Sequence, residues 1–75
     1  MTKKLSPARL ARLAADIAES NFAAAIDQVD AYDSLEHALD CYSENAVDTA
    51  VEEGIDRYLV LTAFQALVIA HTKGN

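Results

Sequence analysis

At 75 residues the chain is one small domain, and a domain of this size hides only about 60% of its unfolded surface on folding. It is 52% apolar and 24% charged, with two glycines and one proline, too apolar and too poor in breakers for a disordered chain. A net charge of −6 opposes direct nucleic-acid binding, and a single Cys excludes an internal disulfide or a thiolate-built zinc site.

Glycine stands only at 54 and 74, so no phosphate-cradling loop or dinucleotide fingerprint can be written. The start, Met1-Thr2-Lys3-Lys4-Leu5, is basic, but Arg9, Arg12 and Asp16 break the apolar stretch that an export signal needs. The most apolar run, Tyr58 to Ala70, has 13 residues, short of the ~20 that span a bilayer. A soluble cytoplasmic protein with a reduced thiol and no membrane partner is expected. Charge is unevenly placed. Residues 1–12 hold four cations and no acid, whereas residues 13–72 hold all twelve acids and only Arg57.

Ser6-Pro7 reads as a helix start, a hydroxyl cap followed by Pro where its missing N–H costs nothing. Polar residues then recur at Arg9, Arg12, Asp16, Glu19, Ser20, Asp27 and Asp30, one stripe with Ala23 its only apolar member. The spacing predicts a helix over about 7–31. Its remaining girth is apolar, with Leu10, Leu13 and Ile17 on one flank and Phe22, Ile26 and Val29 on the other. Such a helix contacts two neighbours.

Asp33-Ser34-Leu35-Glu36 restarts the chain as a capping box on Asp33, with Ser34 an alternative cap. Helical spacing of Leu35, Ala38, Leu39, Tyr42, Ala46 and Ala50 runs to Gly54, predicting a second helix over about 34–53. A third is predicted over about 56–73, capped by Asp56, because length and alanines at 63, 66 and 70 outweigh strand propensity. In it only Thr62 and Gln65 interrupt the apolar run from 58 to 70. A helix apolar nearly all round needs more cover than two partners give. The expected fold is therefore an all-α, three-helix antiparallel bundle completed by homodimerisation. Val60, Phe64, Leu67 and His71 lie along one strip and are the expected oligomer interface.

Candidate chemistry is sparse. His37 and Cys41 lie one turn apart beside Asp40 and Glu44, but they fall short of a structural zinc set. They read as a solvated face around a half-covered thiol, and no metal is expected. The di-iron signature Glu-x-x-His is absent at both His37 and His71, and His71 suits a helix C-terminus as a cation. Ser6, Ser20, Ser34, Ser43 and Cys41 lack a nucleophile elbow, and Cys41 is surrounded by acids, which do not favour a thiolate. No catalysis and no cofactor are expected. Phe22, Tyr42 and Phe64 fall on core faces, while Tyr32 and Tyr58, near turns, are expected to be exposed.

Asp33-Ser34-Leu35 resembles the Asp-Ser-Leu motif of acyl carrier proteins, where the Ser carries phosphopantetheine at the start of the second helix. The resemblance makes Ser34 the matching residue. It covers three residues; His37-Ala38-Leu39-Asp40 departs from the family register, and the carriers' long upstream loop is replaced by helix. A helix cap uses the same residue types for its own reasons.

What remains is an acidic surface. Asp16, Glu19, Asp27 and Asp30 line the first helix, and Asp40, Glu44, Asp48 and Glu52 line the second. Like charges one turn apart cost a helix a few tenths of a kcal/mol per pair, roughly, so the strips need a reason. Solubility is one reason, and a basic partner is the other. The expected function is a non-catalytic protein-binding module, an inhibitor or adaptor engaging a basic protein surface, analogous to small acidic anti-defence inhibitors of phages. The alternatives are an assembly subunit acting through the third helix and a carrier modified on Ser34.

Overall fold

Ser6 and Pro7 open the first helix by the chemistry of their side chains. In the computed structural model the Ser6 hydroxyl accepts from the Arg9 amide at 3.2 Å, and Pro7 takes the first helical position. The structure describes residues 6–73, all-helical with three α-helices and no strand among those residues. They are α1 (Pro7–Asp27), a 3₁₀ turn (Val29–Ala31), α2 (Leu35–Glu53) and α3 (Arg57–Lys73). The basic start at Lys3 and Lys4 and the expected stop at Gly74 lie outside the described residues. No described helix is long and apolar enough to cross a membrane.

The first helix ends four residues earlier than its stripe predicts, at Asp27 instead of 31. The Ala31 amide donates to Gln28 and the Tyr32 amide to Val29, tightening the chain into three-residue bonds. Tyr32 is then extended, at φ −121° and ψ 163°, and its ring turns back onto His37 and Tyr42. Asp30 therefore leaves the α-helical register. The chain then passes into α2.

Ser34, not Asp33, caps α2: its Oγ accepts from the His37 amide at 3.2 Å. At the far end Gly54 sits at φ 76°, a left-handed conformation that L side chains rarely adopt. The Ile55 amide there donates to the Ala50 carbonyl at 2.8 Å, the long bond of a Schellman closure. Ile55 is buried immediately beyond it. Asp56 starts α3, its carboxylate accepting from the Tyr58 amide at 2.9 Å.

Six of the nine buried apolar residues are alanines, three on α1 (Ala14, Ala18, Ala25) and three on α2 (Ala38, Ala46, Ala50). The others are Ile55, Val60 and Phe64. Contacts between α1 and α2 are the most extensive of any helix pair. Alanines at such a contact let two axes close toward the lower end of the usual range of about 8–10 Å. An alanine contributes little apolar area, whereas burying a Val, Ile or Phe stabilises by about 1.5–3 kcal/mol. Much of the burial energy therefore comes from Ile55, Val60 and Phe64, with Leu13, Ile17, Phe22, Leu39 and Leu67 packed around them. The rings of Phe22 and Phe64 meet edge-on, 5.9 Å apart.

Two variants separate these causes in urea melts. Ala46→Leu, overfilling the seam, is expected to lose about 1–3 kcal/mol or more. Gly54→Ala is expected to lose about 1–2 kcal/mol through backbone strain alone, because a Cβ there meets nothing within 4 Å. Gly54→Asn should recover part of that loss, since Asn tolerates the left-handed region better.

Candidate functional site

The eight carboxylates of the two strips, Asp16, Glu19, Asp27, Asp30, Asp40, Glu44, Asp48 and Glu52, are all exposed. None makes an ion pair within 4.0 Å among the described residues; the ion pair there joins Asp33 to His37 at 3.9 Å. Helix geometry explains their exposure. On both helices the alanine-rich side turns inward, so the charged stripe faces water.

The two strips do not fuse into one acidic field. A groove lies between α1 and α2, lined by Asp16, Ser20, Asn21, Tyr42, Asn45 and Thr49, among others. Across it the Asn45 side-chain amide donates to Asn21 Oδ1 at 2.7 Å, and the Asn21 amide donates to the Ile17 carbonyl at 2.9 Å. Asp16 stands at the rim of this groove. Glu44 and Asp48 instead border a second groove, between α2 and α3, floored by Val47 and Leu61. The acids thus frame polar and apolar lanes.

One cluster escaped the sequence reading. Tyr32 packs between His37, 5.4 Å away centroid to centroid, and Tyr42, 6.1 Å away, both edge-on. Tyr32 is half-buried and only Tyr58, at 70% exposure, is open as expected. Desolvation first, then the Tyr42 hydroxyl and Cys41 nearby, raises the Tyr32 phenol above its ordinary pKa. The signal was the aromatic pair Tyr32 and Tyr42, but only the extended conformation at Tyr32 brings them together.

The strip expected to join subunits is placed otherwise. Val60 and Phe64 are 0% and 3% exposed within a single chain, and Leu67 packs against the same core. His71 in the last turn of α3 lays its ring against Phe22 at 5.7 Å. Val60 and Phe64 thus lie on the internal face of α3, whereas His71 stays exposed at its end. The physical reason is that the fully buried positions of α1 and α2 are alanines, so Val60 and Phe64 fill space between them together with Leu13, Ile17, Phe22 and Leu39.

Among the described residues no group of three or more His, Cys, Asp or Glu is placed to hold a metal ion. Cys41 is exposed and free. Ser34 is exposed at the start of α2, with its hydroxyl engaged in the cap. Its position suits both a cap and the Asp-Ser-Leu resemblance, but the connection before it spans only residues 28–34. Compared with known protein families, curated proteins and solved structures, the chain matches none.

The Tyr32 cluster has an alkaline signature. Because folding raises this pKa, the unfolded chain loses its proton first, and stability falls as pH rises through the ordinary phenol value. Absorbance titration of the folded protein should show a tyrosine step above the ordinary phenol value, and Tyr32→Phe should remove that step. A Tyr32→Phe protein that keeps it would place the shift elsewhere.

Proposed function

We propose that the protein is a non-catalytic binding module acting in the cytoplasm, an inhibitor or adaptor whose acidic strips engage a basic protein surface. The observation that carries this reading is the set of eight exposed carboxylates, none of them in an ion pair within 4.0 Å among the described residues. Solubility alone needs net charge, not rows of acids one turn apart that weaken their own helices. Rows on two helices instead present a repeating negative face, which steers a positive surface into contact. A partner that uses that basic surface to hold nucleic acid would lose it on binding.

In this reading α2 runs antiparallel to α1 and α3, as the short connections at residues 28–34 and 54–56 favour. The bundle also pairs with a second copy, because α3 keeps exposed apolar side chains after its core face is filled.

Affinity capture from a host lysate, run in parallel with wild type and the double variant Asp40→Lys with Glu44→Lys, tests the binding reading. The partner is expected on the wild-type resin and missing from the variant, with the helical spectrum unchanged. Association should slow by about tenfold or more and weaken as salt rises, since exposed charges are screened beyond roughly 8–10 Å. Asp27→Lys with Asp30→Lys reports which strip is used. A captured partner that binds both double variants at wild-type strength in high salt would reject the acidic mechanism.

A further inference from the structure

Two seams run along opposite sides of α3. Val60, Phe64 and Leu67 form the inner one. Tyr58, Thr62, Gln65, Ile69 and Thr72 form the outer one, and each is exposed. Their steps of four, three, four and three residues are those of a coiled-coil seam. Between Arg57 and Lys73 the helix holds no Asp, Glu, Lys or Arg, although the chain carries twelve acids. A second copy meeting α2 would press carboxylate strips together. Against α3 it meets none.

The outer seam is also complementary to itself when reversed. Thr62, Gln65, Ala66 and Ile69, with Leu61, line a shallow hollow of about 510 Å³. Their spacing is that of the four residues which receive one knob from a facing helix. One turn earlier, Tyr58, Leu61, Thr62 and Gln65 make a second set with the same spacing. A second α3 laid antiparallel, with its two-fold axis between Gln65 and Ala66, brings Ile69 over that second set. Small residues then oppose larger ones, Ala66 facing Gln65 and Ala70 facing Leu61. At each end Lys73 of one copy approaches Tyr58 and the exposed Glu53 and Asp56 of the other, opposite in charge.

We propose that the outer face of α3 is a homodimer interface, antiparallel about Gln65 and Ala66, with each Ile69 seated among Tyr58, Leu61, Thr62 and Gln65 of the second copy. The inference rests on the pairing reading and adds its face and register. The seam from Tyr58 to Thr72 is about 21 Å long at 1.5 Å per residue, so the dimer is a weak one.

Sedimentation equilibrium and thiol crosslinking test it. Wild type should approach twice the 8.1 kDa chain mass by about 1 mM. Ile69→Glu, at a position 54% exposed in the monomer, should weaken self-association at least about tenfold with its helical spectrum intact. In a Cys41→Ser background, Gln65→Cys should be joined to its copy by a short bismaleimide, and Asp40→Cys should not. A wild-type chain that stays monomeric at about 1 mM overturns both the pairing and this face. A dimer that survives Ile69→Glu unchanged, without the Gln65→Cys crosslink, overturns the face alone and leaves the pairing standing. Crosslinking of Asp40→Cys in place of Gln65→Cys would overturn it in favour of α2.

Discussion

The constraint on which this molecule depends is a core built mostly on alanine, which fills six of the nine buried apolar positions among the described residues. Ala14, Ala18, Ala25, Ala38, Ala46 and Ala50 are at most 1% exposed, so nothing longer than a methyl fills those six positions. A close helix pair has little room for large side chains between its axes. The volume of the core is therefore concentrated beside the pair, where α3 brings Val60 and Phe64 and the turn before it brings Ile55. All three helices then contribute the partly buried large side chains around that cluster, Leu13, Ile17 and Phe22 from α1, Leu39 and Tyr42 from α2, and Leu67 and Val68 from α3.

That core also accounts for the surface. A helix that faces inward through alanines has a narrow buried strip and leaves a wide outer girth for charge. The acids occupy it on α1 and α2. Helix α3 turns Val60 and Phe64 inward and carries uncharged residues outward from 58 to 70. The result is a protein with two acidic sides and one neutral side.

Sequence legibility followed local chemistry closely. Ser6-Pro7, Ser34, Gly54 and Asp56 each act through their own backbone neighbourhood, and all four boundaries lie within one residue of where the pattern put them. The end of α1 was not legible because no Gly or Pro marks it, and Asp30 still fits a helical stripe. A 3₁₀ turn advances each residue by about 120° instead of about 100°, so three residues of it barely disturb the periodicity. Among the site residues, exposed carboxylates were readable because burying an unpaired charge is costly. The groove between their strips was not, since Asn21 and Asn45 meet only through tertiary packing. Nor could the inner face of α3 be told from its outer one, because a nearly uniform apolar helix gives no direction to its own side chains.

The placement of Val60 and Phe64 late in the chain bears on how the protein is made. During synthesis α1 and α2 emerge first and can meet through short-range connections, which close quickly. Their alanine contact offers little apolar area to hold them. Until Phe64 has been added and has left the ribosome, the helix pair lacks the edge-on partner of Phe22. A nascent chain halted after α2 therefore carries its acids and its alanine seam without Val60 and Phe64 to fill the core.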